Sequence, residues 1–561
     1  MRNSNVRKLF VVIAAAAAFA ACSHAPTGPT IPQAPGTARH AGPYFVASDK
    51  IKHVVFIIQE NRTFDSLFGG PGPKEGRLNG ADAVAYGYTH DGTRIPLTGI
   101  NIESPCVASC ADPNNYHQQW LRACNAPYGS GPPFRIGGPS PCRMNGFDLN
   151  ASPQPGYPVP DDVTTSVIYS YLNYNETLPY WDIARKYAVG DRFFMPHNSE
   201  SYTAHQYLFS AQSGGTVDAP VYPEGTNCSW FFVGCAFTPW GCDSPPITKM
   251  FVLDPISGAE KPDPSYTSAP GDDAPLPCFG FLHPTAYESL AESLEKHQNQ
   301  PGDHPWRVYA YNMCSSIIGL DANWRVRHTD WPPDSVLQVR MSNCHNFFLL
   351  NVIPHHLSTE HFVNPEYDFL TDELPSNPKD KKPLASVTYI LPGPLSADHP
   401  GIPHGDWGPD WVASVVNAIG KSSDWNSTAI FILWDDWGGF YDHVPPYVVR
   451  DQAGPGFRVP LLVVSPYVRA HTVVHTNIEF GTLINFVEQT FGLGSLGDAA
   501  DDHGPTLNNL NDFFNFNASP QPFDPITSTV RTPREFFRKA DSTPHGKGVR
   551  ARWLQLVGDP D

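Results

Sequence analysis

Two apolar runs constrain this chain first, because each ends in a pair of oxygen-donor residues. Val54 to Ile58 leads through Gln59 into Glu60 and Asn61, and Ala429 to Trp434 leads directly into Asp435 and Asp436. Runs of that length, rich in β-branched residues and cut off by polar ones, read as buried strands of an α/β sheet. Ligands of open α/β sheets bind in the crevice beyond the carboxyl ends of the strands, so both pairs are expected at its mouth. One polar strand end is ordinarily no more than the start of a solvated loop. Two in one sheet bring three carboxylates and an amide oxygen, which repel unless a cation lies between them. Successive strand residues face opposite sides, so one member of each pair has to be turned back by the turn that follows. Gly438 and Gly439 supply such a turn after the second run.

The later elements agree with a layered sheet. Ala385 to Gly393 and Val459 to Pro466 read as strands, Asp410 to Ser422 as an amphipathic helix, and Phe480 to Leu493 as a helix ending near Gly492. Strands alternating with helices predict an α/β sandwich. A nucleophile is offered by Ser201, which precedes a helical pattern through Tyr202, His205, Tyr207 and Leu208 and is expected as the N-cap. A serine there is usually only a cap, but a helix amino end favours anions, and a neighbouring cation lets the hydroxyl attack phosphorus.

Charge and length narrow the partners. The chain has 561 residues, enough for a large core, and Lys+Arg 37 against Asp+Glu 55 leaves a net charge of -18. That balance excludes a nucleic-acid partner or an anionic membrane held by bulk charge. With 59 Pro and 45 Gly, long irregular connections are expected, chiefly in loop-rich insertions at about 82–165 and 215–345.

The amino terminus reads as an export signal: Arg2, Arg7 and Lys8 precede a short apolar stretch and small residues before Cys22. Cleavage after the Ala18-Phe19-Ala20 pattern and lipidation of Cys22 are both open, since Phe19 to Cys22 resembles a bacterial lipoprotein box. Lipidation leaves Cys106, Cys110, Cys124, Cys142, Cys228, Cys235, Cys242, Cys278, Cys314 and Cys344, an even set suited to disulfides that staple the middle of the chain. No C-x-x-C spacing occurs, which argues against structural zinc. The expected order is a signal over 1–22, a Pro/Gly-rich tether over 23–46, a catalytic body over 47–510 and an extension over 511–561. The destination is the periplasm, the cell surface through a lipid anchor at Cys22, or the medium.

Taken together, these segments resemble the bacterial phosphoesterase family of phospholipases C and a metal-dependent acid phosphatase, within the alkaline phosphatase superfamily. The resemblance rests on 51–69, on His117 to Trp120 with Arg143 to Asp148, on 201–208, on Ala397 to Pro400, and on 434–446 and 457–466. It implies an alkaline-phosphatase-like central β-sheet flanked by helices. It further implies that Glu60, Asn61, Asp435 and Asp436 hold one divalent metal, with Ser201 both ligand and nucleophile. His117 and His399, then His205 and His443, are implied at the phosphoryl oxygens and the leaving group. An oxygen ligand set with an amide suits Ca, Mg or Mn, and zinc also accepts carboxylates.

The expected activity is hydrolysis of phosphate esters through a seryl-phosphate. Phospholipase members commonly carry Asp-Glu where this chain has Asp435-Asp436, so the pair looks more like the acid phosphatase branch. The alternatives are a phospholipase C and a non-catalytic surface lipoprotein stiffened by a cation. A sulfatase is discounted, because Ser201-Tyr202-Thr203-Ala204-His205 lacks the Pro and Arg that formylglycine formation needs. Oligomeric state is not legible.

Overall fold

The two apolar runs become neighbouring parallel strands. Numbered in chain order, the strands of the central sheet are β1 (His53–Gln59), β2 (Ala188–Gly190), β3 (Trp306–Ala310), β4 (Asn364–Pro365), β5 (Val387–Ile390), β6 (Thr428–Trp434), β7 (Leu461–Val464) and β8 (Thr472–Val474). Their spatial order is β4-β3-β5-β1-β6-β7-β2-β8. Strand β7 runs antiparallel to both its neighbours, and every other pairing is parallel. The computed structural model describes residues 50–71, 81–102, 112–128, 131–153, 163–221, 249–262, 290–297, 305–310, 364–365, 368–373, 379, 381–392, 396–400, 407–496 and 510–527, all within the unit Tyr44–Asp561.

Six helices are used below: α1 (Phe64–Phe68), α2 (His117–Cys124), α3 (Leu178–Lys186), α4 (Ser201–Ser210), α5 (Trp407–Lys421) and α6 (Phe480–Phe491). Both faces of the sheet are covered by them, which is why β1 and β6 can be apolar along their length instead of alternating. On one face Tyr389, Phe56 and Phe431 form a row across β5, β1 and β6, with ring centroids 5.3 and 5.8 Å apart. Phe209 of α4 packs on Tyr389 at one end of that row, and Phe486 of α6 packs on Phe431 at the other. Trp434, three residues beyond Phe431, faces the opposite side and meets Tyr180 of α3. Burying each such side chain contributes about 1.5–3 kcal/mol.

Three expectations change. The stretch 215–345 is not wholly insertion, since β3 lies inside it and joins the central sheet; Trp306–Ala310 is too short and mixed to stand out in the sequence. The boundary expected at 510 is absent, because Phe513, Phe514 and Ile526 are buried in the same core and Asn417 of α5 bonds both backbone groups of Ile526. Ser201 is the first helical residue and not the cap. The side chain of Glu200 takes that role by accepting from the Tyr202 amide at 3.2 Å, which leaves the serine hydroxyl for other partners.

Cys124 and Cys142 form a disulfide that ties α2 to the following loop. The leader, Cys22 and the tether lie outside the described residues, as do Cys106, Cys110, Cys228, Cys235, Cys242, Cys278, Cys314 and Cys344.

Phe431 sits at the centre of the aromatic row, so Phe431→Ala is expected to destabilise the fold by about 3–5 kcal/mol. Urea unfolding followed by tryptophan fluorescence measures this, and a loss below about 1 kcal/mol would mean that the row is not the centre of the core.

Candidate active site

Parallel register sets the site. Gln59 faces Trp434 across the β1–β6 ladder, so the residues that follow, Glu60-Asn61 and Asp435-Asp436, leave the sheet side by side. Asn61 adopts a left-handed conformation, φ +57°, which asparagine tolerates better than most residues. Its backbone amide donates to Asp435 Oδ1 at 2.9 Å, and the Asp436 amide donates to the same oxygen at 2.8 Å. Both amides go to Oδ1, which leaves Asp435 Oδ2 facing the cluster. Gly438, at φ +58°, holds its own amide 2.6 Å from Asp436 Oδ1, and a Cβ there would stand 2.3 Å from the Asn61 carbonyl oxygen. Only glycine fits that crossing of the two loops.

Helix α4 brings in the hydroxyl. Ser201 Oγ donates to Asp436 Oδ2 at 2.7 Å and stands 3.2 Å from Asn61 Oδ1. His205, one turn on, turns Nε2 toward Glu60 Oε1 at 3.6 Å and Asp435 Oδ2 at 3.4 Å. All five predicted ligands therefore meet, and His205 joins Glu60 and Asp435 in a group whose ligand atoms lie within 4.8 Å of one another.

The electrostatics of this group fit a cation. Asp435 and Asp436 are 0% exposed and Glu60 8%. Burial and the charge of Asp435 push Glu60 up, and the same two causes push Asp436 well above the usual carboxylate range. Burial opposes the charge on Asp435 too, but His205 and the Ser201 hydroxyl outweigh it and hold that pKa down. Burial likewise works against the His205 cation, and its bonds to Asp435 and Glu60 still raise it to about 9. Three buried carboxylates beside the His205 ring are compatible with a metal site.

The other histidines separate. His399 lies on a strap held to the end of β1: Gln59 Nε2 donates to the Ser396 carbonyl at 2.8 Å, the Asp398 amide donates to Gln59 Oε1 at 3.0 Å, and Arg62 Nη2 donates to the Asp398 carbonyl at 2.8 Å. That places the His399 charge within range of Glu60. His117 opens α2, bracketed by two contacts that the motifs do not announce. Asn115 Nδ2 donates to Asp436 Oδ2 at 2.8 Å, the oxygen that also receives Ser201, and Asn198 accepts from the His117 ring. Asn115, Asn198 and Arg62 carry no spacing signal in the sequence; only their nearness to His117, Ser201 and Glu60 could have pointed to them.

His443 is not brought to the serine. Its Nδ1 lies 2.7 Å from Asp65 Oδ2 and its Nε2 3.0 Å from Asp82 Oδ1. Asp65, Asp442 and His443 also have the spacing of a metal group, but the fully buried Arg458 guanidinium lies among them, with Nε 2.9 Å from Asp442 Oδ1. Nη1 of Arg458 donates to the carbonyls of Asp82 and Asp191 at 2.9 and 2.7 Å. The pairing fixes the loop after β6 against α1, where an ionised side chain takes the part of a cation. The adjacent placement of Asp442 and His443 in the motif gives no sign that they turn away from Asp435 and Asp436.

Three buried carboxylates and an amide at two strand ends, with a serine at a helix start beside them, form one polar cluster at the mouth of the crevice. Residues 51–494 match the model of the Phosphoesterase family, and the chain belongs to that family. It is a hydrolase acting on phosphoric ester bonds. Phospholipase C B of Mycobacterium tuberculosis is 22% identical over 557 residues, covering 92% of this chain and 87% of the relative. Non-hemolytic phospholipase C of Burkholderia pseudomallei is 31% identical over 136 residues, 19% of each chain. Among solved structures, a Vibrio parahaemolyticus protein in the alkaline phosphatase superfamily aligns over 58% of this chain and 64% of its own, at 10% identity and a TM-score of 0.29.

A pH dependence of stability follows from His443. Burial lowers its affinity for a proton, but the bond and charge of Asp65 and the charge of Asp442 raise its pKa to about 9. A folded value above the unfolded one means that this contribution is complete below about pH 6.5 and is lost as pH rises through about 9. His443→Gln is expected to flatten the fall in unfolding free energy across that window. Urea titrations of both proteins at several pH values check this, and parallel curves would remove His443 from the account.

Proposed function

We propose that this chain is a metal-dependent phosphoesterase that works through a seryl-phosphate at Ser201, acid-phosphatase-like in its Asp435-Asp436 pair. The observation that supports this best is the position of the Ser201 hydroxyl, bonded to Asp436 Oδ2 at 2.7 Å at the amino end of a ten-residue helix. Glu60, Asn61, Asp435 and Asp436 would hold one divalent cation, whose chemistry there is to offset the carboxylates, polarise the phosphoryl group and lower the serine pKa. Ser201 passes its hydroxyl proton to Asp436 Oδ2, Oγ forms a bond to phosphorus as the ester P–O bond breaks, and the departing alcohol takes a proton from a histidine. The amino end of α4 adds a smaller attraction for the phosphoryl oxygens, about 0.3–1 kcal/mol. Water then attacks phosphorus, its proton passes to the same histidine, and the bond to Ser201 breaks to release phosphate as Asp436 returns the proton to Oγ. His117, whose ring is anchored through Nδ1, and His399, beside Glu60, are the groups assigned to these proton transfers.

A second reading, cleavage of phospholipid headgroup diesters, is favoured by the phospholipase C relative that spans 92% of this chain. Both readings sit with an exported enzyme tethered through Cys22, which is part of the proposal.

The full chain, stripped with EDTA and supplied with single divalent ions, is to be assayed on p-nitrophenyl phosphate and p-nitrophenyl phosphorylcholine. Activity is expected to vanish on stripping and return with the ion. Ser201→Ala is expected to lower kcat at least ~1,000-fold on both substrates. Asp435→Ala is expected to lose bound metal by elemental measurement. Faster turnover of the choline diester assigns the second reading, and full activity in Ser201→Ala overturns the seryl intermediate.

A further inference from the structure

We propose that Asn198 is a positioning residue that fixes the tautomer of His117, so that Nε2 is the ring nitrogen at which a proton is exchanged with the phosphate ester. The proposal rests on the Ser201 reading above and deepens it.

Hydrogen-bond chemistry settles which nitrogen carries the fixed proton. His117 Nδ1 lies 3.0 Å from the Asn198 backbone carbonyl oxygen, which can only accept, so Nδ1 must be the donor. The same N–H faces Asn198 Oδ1 at 2.9 Å. An amide presents an oxygen or an NH2 group depending on its orientation, and here a second contact decides: Asn198 Nδ2 donates to the Gln452 carbonyl at 3.1 Å, which turns Oδ1 to the ring. Gln452 is held in turn, accepting the Phe134 amide at 2.7 Å and donating to the Phe134 carbonyl at 2.9 Å. The Asn198 amide donates to the Ala453 carbonyl, so backbone and side chain are both clamped.

The base of the ring is equally fixed. The His117 amide donates to Asp218 Oδ1 at 2.7 Å, and that oxygen also accepts Ser199 Oγ at 2.5 Å. Nε2, by contrast, has no partner among the described residues, although the residue is 1% exposed. With Nδ1 committed to Asn198, the neutral ring presents a lone pair at Nε2 and the cation presents an N–H there. Proton gain and loss are therefore confined to a buried nitrogen two residues from Asn115, whose amide touches the Asp436 oxygen that receives Ser201. Among the described residues, the titratable groups facing the ring are Asp218 and His197; burial first, then His117 and Arg450, hold His197 well below its usual pKa.

The test combines a spectroscopic and a kinetic readout on the full chain. In 15N-histidine spectra above neutral pH, the His117 signals, assigned by their loss in His117→Gln, are expected to show Nδ1 protonated and Nε2 bare. The spectrum is recorded on Ser201→Ala as well, so it decides the tautomer whether or not a seryl ester forms. Asn198→Ala is expected to lower kcat about ten-fold with KM within two-fold. Asn198→Asp, which keeps an acceptor and adds a charge, is expected to restore part of kcat and to move the ionisation in the kcat/KM profile upward by about one unit. A protonated Nε2 in the neutral ring, or an Asn198→Asp profile superimposable on the wild type, overturns the proposal.

Discussion

The parallel ladder between β1 and β6 is the constraint on which the rest of the site depends. Seven consecutive residue pairs, from His53 with Thr428 to Gln59 with Trp434, leave no freedom in where the two chains exit the sheet. A slip of one residue would turn every side chain to the other face and separate Glu60 from Asp435. Burying like charges together is unfavourable, and the donors from Ser201, Asn115 and the backbone amides offset only part of that cost. The apolar strands and the aromatic layer on Phe431 supply the stability that holds those charges in place. Gly438 and Asn61 then absorb the left-handed turns that bring the second member of each pair back into the crevice.

Much of this geometry was legible in the sequence because it follows from short-range rules. Long apolar runs ending in paired donors mark buried strands and their exits, and helix α6 ends as expected with Gly492 in the left-handed conformation. What was not legible depends on contacts between distant segments. That Glu200 and not Ser201 caps α4 is decided by where Asp436 pulls the serine hydroxyl, 235 residues away in sequence. That His443 turns toward Asp65 and Asp82 is decided by Arg458 on the approach to β7, which no local pattern couples to it. Asn115 and Asn198 are ordinary loop residues until the fold places one against Asp436 and the other against His117.

Two charged clusters flank the loop after β6, and their difference shows how the fold assigns roles. Around Arg458 the carboxylates of Asp65, Asp82 and Asp442 meet two guanidinium groups, Arg458 and Arg192, and the imidazole of His443. Charge there is matched by side chains fixed in place, which suits a structural clamp. Around Ser201 the carboxylates of Glu60 and Asp435 meet His205, Asp436 meets the hydroxyl itself, and His399 acts on Glu60. Three ionised carboxylates outnumber the one imidazole set among them, so in that form the cluster carries an excess of negative charge. A phosphoryl group brought to the same place would add further negative charge. A divalent cation would reverse that sign while leaving the serine hydroxyl open, so the donor groups at the two strand ends are compatible with the metal-dependent chemistry proposed above and differ in kind from the ion-paired clamp around Arg458.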